Sequence, residues 1–379
     1  MSITAEQGFF SIGFIGGSIK SAVGHTHQIA SQMDGRWSLE AGCFSQTEST
    51  NKQTAKEWGV SSDRTYNTYQ ELLLNERGKL DVIVVLTPTP SHTRIVLDII
   101  SAGFGVICEK ALSASSDEAS LIEAAVKTKK QFLAVTLNYT GYPMLRELKS
   151  WVGNDKLGKI QQIQIEMPQE GFARLDSQGH KPCPQSWRLK DAAIPTISLD
   201  LGVHLHHIVY YLTKANPQEV VADQSSFGWF DGGVDDVSCL VRYSQDIRCQ
   251  MWFSKTALGH RNGLKVRIYG DKASAEWYQM QPEELYVNHI DGRREIIDRA
   301  CAVDVAGQLK FNRFKAGHPA GFVEAFANLY CDIADSYAVY LETGEYASSD
   351  VFGVSHSVAG LKLFEAMSES VLERKWVTL

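Results

Sequence analysis

Apolar and polar positions along the first third of the chain alternate between two kinds of segment. Residues 9–15 (FFSIGFI), 80–86 (LDVIVVL) and 104–108 (FGVIC) are short, nearly continuous apolar runs, as strands buried on both faces require. Residues 37–44 and 131–136 read as further strands, while 25–33, 48–58, 93–102 and 116–129 carry apolar residues at helical spacing. Strand and helix in strict alternation predict βαβ units and a doubly wound parallel sheet.

Past about residue 137 the pattern changes. Segments 159–167, 218–227, 236–243, 246–254, 263–270, 273–278 and 284–288 alternate polar with apolar residues, between turn signals such as Asp231-Gly232-Gly233 and Asp291-Gly292. Strands of this kind bury one face and solvate the other. Helices at about 141–152, 199–213, 319–336 and 350–372 are expected to cover the buried face. The chain is therefore expected to be α/β in two domains. Residues 1–137 form a Rossmann-type parallel sheet, and 138–379 form an α+β domain on a large open, mostly antiparallel sheet. The last helix, about 350–372, either covers that sheet or returns to the first domain. No flexible linker, internal repeat or low-complexity stretch interrupts the chain.

The first strand runs directly into Gly16-Gly17-Ser18-Ile19-Lys20-Ser21-Ala22-Val23-Gly24 and then a helix. A glycine-rich turn feeding a helix N-terminus is a phosphate cradle, because free backbone N–H groups and the positive end of the helix dipole meet an anion. A G-x-G-x-x-G frame begun at Gly16 puts Ser18 and Ser21 at its second and third glycines, so Gly24 serves as the late small residue. Alone, this loop reads equally as a structural turn. The βαβ rhythm around it favours a dinucleotide site built on Gly16, Gly17, Ser18 and Gly24. The second strand ends Cys43-Phe44-Ser45-Gln46-Thr47. No acid at Ser45 holds a ribose 2′-OH and no Arg welcomes a 2′-phosphate, so the choice between NAD(H) and NADP(H) stays open.

A second constellation lies at 198–213, where Asp200, His204 and His207 fall at i, i+4 and i+7 of an expected helix, extending toward Tyr211. The other faces are apolar. A carboxylate and two imidazoles are costly there unless they are paired or used. Three readings are open: a satisfied core, a metal site, or catalysis. His206 points to another face and reads as structural.

Composition narrows the classes. With 37 Lys+Arg against 44 Asp+Glu, the net charge of −7 does not suggest a nucleic-acid or anionic-membrane surface. Seven cysteines, at 43, 108, 183, 239, 249, 301 and 331, form no CxxC pair, which argues for reduced thiols and against structural zinc. The N-terminus lacks a basic region followed by an apolar core, and no run approaches the ~18 apolar residues of a membrane span. A soluble cytoplasmic protein is expected.

Further segments follow in order: Thr87-Pro88-Thr89-Pro90-Ser91-His92, Glu109-Lys110-Ala111, Asn138-Tyr139, Trp187-Arg188, Asp200-Leu201-Gly202-Val203-His204 and Gly317-His318-Pro319. Read as T-P-x-x-x-H, an E-K-P-like step and D-x-G-x-H behind a Rossmann start, this series resembles the Gfo/Idh/MocA family of nicotinamide-dependent sugar and cyclitol dehydrogenases. The resemblance spans nearly the whole chain. It implies NAD(H) or NADP(H) as cofactor, a small carbohydrate or cyclitol as substrate, no metal, and a homodimer or homotetramer formed through the second sheet.

It also implies residue roles. Lys110, Asp200 and His204 are the catalytic group. Thr87, Pro88, His92 and Glu109, with Lys110, join the cofactor contacts; Pro88 is expected against the nicotinamide end, and His92 to position its loop. Tyr139, Arg188, His207 and His318 are substrate candidates, although His207 stands where many relatives have Asp. Oxidising a secondary alcohol requires the hydroxyl proton to leave as hydride departs, so a base and a nearby cation both help. His204 is assigned as base, Lys110 as the group that polarises the oxygen and relays protons, and Asp200 as their orienter. Lys110 is the alternative base. Three departures stand out: Ala111 replaces the usual Pro, residues 193–198 are bulkier than the usual glycine-rich run, and the cofactor turn lacks strict glycines. A non-catalytic nucleotide or sugar sensor is the competing class. A metal-dependent hydrolase using Asp200, His204 and His207 is a third, and it leaves the first domain unexplained.

Overall fold

The computed structural model describes residues 9–346 and 348–379. They group into two compact units. The first gathers the chain up to Ser113 with Asp117–Gly141 and Phe322–Ser357; the second gathers Ala114–Ser116, Tyr142–Gly321 and Val358–Leu379.

In the first unit, strands β1 (Phe10–Gly16), β2 (Trp37–Cys43), β3 (Val82–Leu86), β4 (Gly105–Glu109) and β5 (Leu133–Thr136) form one sheet in the order β2-β1-β3-β4-β5. Every pairing is parallel. Helices α1 (Ala22–Gln32), α2 (Glu48–Glu57), α3 (Tyr69–Asn75), α4 (His92–Ala102) and α5 (Ser116–Lys129) connect the strands. β3 and β4 are buried at every position, which is why β3 is an unbroken apolar run and β4 is apolar up to its last residue, Glu109. Strand order reverses between β1 and β3, and the crevice beyond the strand ends at such a switch point is where open α/β sheets take their ligands.

The second unit holds α6 (Pro143–Gly153), β6 (Ile160–Pro168), α7 (Val203–Thr213), β7 (Pro217–Ser225), β8 (Asp236–Tyr243), β9 (Arg248–Ser254), β10 (Lys265–Gly270), β11 (Ala273–Tyr278), β12 (Gln281–His289) and β13 (Arg294–Ile297). With β14 (Val377–Thr378) they make a nine-stranded sheet, β13-β12-β11-β10-β6-β9-β8-β7-β14, antiparallel except for the β6–β9 pair. Burial on β8 alternates residue by residue: Val237, Cys239 and Val241 are buried, whereas Ser238, Leu240 and Arg242 face outward.

Two later helices complete the chain, α8 (Phe322–Thr343) and α9 (Val354–Glu373). α8 departs from expectation, because it belongs to the first unit and not to the second. Phe326, Tyr330, Ile333 and Tyr337 enter one core cluster with Phe10, Trp37 and Phe132, and Trp37 Nε1 donates to the Tyr330 carbonyl at 2.9 Å. An apolar stripe shows that a helix is buried but not which core receives it. The short helix α3 was not expected either, although its capping box, Thr68 with Glu71, is written in the sequence.

Candidate active site

The cofactor loop is built as the glycines demand. Gly16 and Gly17 have φ of +83° and +71°, a region that side-chain-bearing residues avoid. A Cβ on Gly17 would lie 2.4 Å from Leu86 Cδ1, and one on Gly24 would lie 2.0 Å from the Gly17 carbonyl oxygen. Gly24 therefore does the work of the missing third glycine, letting α1 close onto the loop. α1 begins at Ala22, three residues earlier than expected, because Ser21 caps it by accepting from the Gly24 N–H at 3.2 Å. The Ser18 carbonyl accepts from the Ser21 N–H at 2.7 Å. Beyond β2, Ser45 Oγ accepts from the Thr47 N–H at 3.1 Å.

The ends of β3, β4 and β5 carry the remaining first-unit candidates. His92 is buried, with its ring nitrogens 2.7 Å from the Thr87 carbonyl and 2.8 Å from the Ala111 carbonyl. It ties the loop that carries Pro88 to the loop that carries Lys110. Burial pushes its pKa down although both carbonyls pull it up. Glu109 is buried at the end of β4, where Oε1 accepts from Thr136 Oγ1 and lies 3.0 Å from His27 Nε2. Burial works against its charge, but His27, Lys110 and Thr136 outweigh that and hold the carboxyl below its usual range. Lys110 follows, half-buried, and the Lys110–Ala111 peptide is cis. Just past β5, Asn138 is 3% exposed and its Nδ2 has no acceptor among the described residues. A buried orphan donor just past one strand end and a glycine-lined turn at another end of the same parallel sheet fit a dinucleotide. Gly16, Gly17, Ser18 and Gly24 would hold its phosphates, and Ser45 its adenosine ribose.

In the second unit, the expected single helix over 198–213 is two structures. Ser198–Gly202 is one π-helical turn, and α7 follows from Val203. The widened turn carries Asp200, as such turns often carry functional residues. Lys255 Nζ lies 2.5 Å from Asp200 Oδ2, and Arg188 Nη1 lies 2.7 Å from the same oxygen. The Arg188 guanidinium also stacks 4.5 Å from the Trp187 ring centroid. Asp200 and Arg188 are thus brought together, and sequence reasoning missed their partner. Lys255 had a signal: it continues the inward phase of β9 set by Cys249, Met251 and Phe253, where an unpaired lysine is not tolerated.

The histidines of α7 are enclosed. His204, His206 and His207 are 5%, 2% and 1% exposed. Burial takes His206 down to about 4 and His207 well below its ordinary value, the latter helped by His204, His206, Lys214 and Lys149. His206 packs on α9, 3.0 Å from the place a Cβ on Gly360 would occupy. His207 lies in the core with its ring 6.0 Å from Tyr211. Of the other substrate candidates, Tyr139 belongs to the first unit, buried with its ring 6.1 Å from Phe322. His318 is exposed in a loop, its ring 4.5 Å from Phe314. Among the described residues no three metal-ligating side chains come together, and no helix is long and apolar enough to cross a membrane.

Comparison with known proteins agrees with this construction. Residues 10–137 match the model of the oxidoreductase family with an NAD-binding Rossmann fold, and residues 145–276 match the GFO/IDH/MocA C-terminal domain. An uncharacterized oxidoreductase of Bacillus subtilis, YfiI, is 29% identical over 84% of this chain and 83% of its own length. Levoglucosan dehydrogenase of Pseudarthrobacter phenanthrenivorans is 23% identical over 55% of this chain and 58% of its own. Among solved structures, an inositol dehydrogenase homolog of Azotobacter vinelandii, complexed with NADH and myo-inositol, has the same fold at a TM-score of 0.86 and 22% identity, covering 98% of both chains. An oxidoreductase of Sinorhizobium meliloti superposes with a TM-score of 0.84 at 26% identity, over 98% of this chain and all of its own. The two matched regions together span well over half of the sequence, and on them the chain belongs to the Gfo/Idh/MocA family of oxidoreductases, with an NAD-binding Rossmann fold in its first unit.

Proposed function

We propose that this protein is an NAD(P)-dependent dehydrogenase that oxidises a secondary alcohol of a sugar, sugar derivative or cyclitol. The observation that carries the reading is the Asp200 cluster: a carboxylate on a π turn, held by Lys255 and Arg188, four residues before His204. Charged donors and acceptors in this density suit a polyhydroxylated substrate. Relatives whose names specify such substrates, levoglucosan dehydrogenase among them, support it.

The bound nicotinamide supplies the hydride acceptor. The chain's residues handle the proton and the orientation. Asp200 Oδ2 already accepts from two cations, so Asp200 orients and does not act as the base. His204 takes the hydroxyl proton, and Lys110 polarises the reacting oxygen. Tyr139, Arg188 and His318 bind substrate, while the burial of His207 favours a core role over a substrate contact. The two cations on Asp200 also compete with any metal for that carboxylate, which weighs against the hydrolase reading. The glycine cradle serves a dehydrogenase and a nucleotide-binding sensor alike, so turnover is what separates the two.

The outward face of the second sheet carries Leu240 and Ile296, 49% and 60% exposed, and assembly into a homodimer or homotetramer through it accompanies this reading. Seven free cysteines suit a cytoplasmic location. The test is a panel of cyclitols, aldoses and anhydrosugars offered with NAD+ and NADP+, following reduced nicotinamide. Turnover with at least one polyol supports the proposal. Binding of NADH without turnover on any of them supports the sensor instead.

A further inference from the structure

His27 belongs to none of the segments that identified the site, yet it is fully buried on α1 and reaches Glu109 at the end of β4. Its Nε2 lies 3.0 Å from Glu109 Oε1, and its Nδ1 lies 2.7 Å from the Tyr330 hydroxyl. An ionised carboxylate can only accept, so Nε2 carries the ring proton and Nδ1 accepts the phenol O–H. Burial holds the Tyr330 phenol well above its ordinary value, which keeps it a neutral donor. Tyr330 comes from α8, outside both regions that match the family models.

The result is a directed chain of bonds, Tyr330 to His27 to Glu109, with Thr136 donating to the same carboxylate oxygen. Both bonds fall on Oε1; Oε2 accepts nothing from the described residues, and the Glu109 side chain keeps 11% of its surface. A carboxylate buried to this degree must use its remaining oxygen on something. We infer that His27, backed by Tyr330, is a positioning residue that fixes the Glu109 carboxylate so that Oε2 accepts a hydrogen bond from a hydroxyl or amide donor of the bound dinucleotide. This rests on the placement of Glu109 among the cofactor contacts. α8, remote in sequence from β1–β5, would then tune cofactor affinity from outside the segment that matches the Rossmann model.

The experiment measures cofactor KM, substrate KM and kcat with thermal stability for Tyr330→Phe, His27→Leu, Glu109→Gln and the His27→Leu/Glu109→Gln double variant, after NADH affinity of the native protein is established by fluorescence. Tyr330→Phe is expected to stay folded and raise cofactor KM by about threefold, and His27→Leu by about tenfold or more, the scale of one bond to a charged group. Substrate KM should not move, and the double variant should be no worse than Glu109→Gln alone, because both residues act through one contact. A Tyr330→Phe variant that loses stability while cofactor KM stays native would overturn the inference, as would additive losses in the double variant. Failure of the native protein to bind NADH would instead defeat the cofactor placement itself.

Discussion

Lys255 and Asp200 meet at 2.5 Å with 11% and 15% of their side chains exposed, so this ion pair stands largely out of water. Arg188 holds the same carboxylate oxygen at 2.7 Å from a more open position, 31% exposed. The carboxylate is thereby aimed by two cations of unequal access, one from the sheet and one from the loop before the π turn. Removing a partner from a buried pair strands the other charge.

Lys255→Met should therefore cost about 2 kcal/mol of stability, below the usual figure for a broken buried pair because Arg188 remains. It should also lower kcat/KM by about tenfold or more through misorientation of Asp200. Lys255→Arg should recover most of both. Urea unfolding and steady-state kinetics on the two variants check this, and a fully native Lys255→Met would remove Lys255 from the site.

Lys110→Met separates chemistry from binding. The lysine is assigned to the reacting oxygen and not to the pyrophosphate, so turnover should fall by about 10³-fold while NADH affinity stays close to native. Fluorescence titration beside kcat is the check. An equal loss in both would leave Lys110 a cofactor contact only and take it away from the reacting oxygen.

Much of the architecture was legible because burial on both faces writes a recognisable pattern. VIVVL at β3 has no other comfortable place, and the alternation of β8 declares one wet face. Position within a core was not legible: α8 looked like a cover for the second sheet, and nothing in its stripe names Trp37 or Phe132 as neighbours. Of the candidate residues named from motif order, Asp200 and Arg188 are the two that the structure joins. Lys255 and His27 did not, since each matters through a partner far away in sequence, at separations of 55 and 82 residues. The π turn at Ser198–Gly202 was invisible because one extra residue in a turn leaves the apolar pattern almost unchanged.

Cofactor choice turns on Ser45. Its hydroxyl accepts from Thr47 N–H at the start of α2 and no carboxylate stands in its place, so both NAD and NADP should be used. Ser45→Asp should shift preference toward NAD by about 1–3 kcal/mol, the scale of one repulsive or unsatisfied contact. The measurement is kcat/KM for both cofactors in parent and variant. Strong rejection of NADP by the parent, with no change in Ser45→Asp, would show that this residue does not face the ribose.

Acid should weaken the fold through its buried imidazoles. His206 titrates near 6.5 unfolded and about 4 folded, so the unfolded chain takes the proton first. Its contribution is complete above pH ~6.5 and drains away as pH falls toward ~4, at most about 3 kcal/mol for this one group. His207 and His92 shift in the same direction. The melting temperature should fall between pH 7 and pH 5, in the window set by those values, and His206→Leu should flatten the slope. An unchanged slope in His206→Leu would show that His206 does not stay neutral in the fold.

The most direct test of the account follows deuterium. With the polyol identified by turnover, a substrate deuterated at the reacting carbinol carbon is oxidised by the native protein and by His204→Gln and Lys110→Met, and the reduced nicotinamide is analysed by mass. The account predicts deuterium in the cofactor for the native protein, with both variants at least 10²-fold slower, as the loss of a proton-transfer group requires. Deuterium appearing in solvent and not in the cofactor, or native rates in both variants, would contradict it.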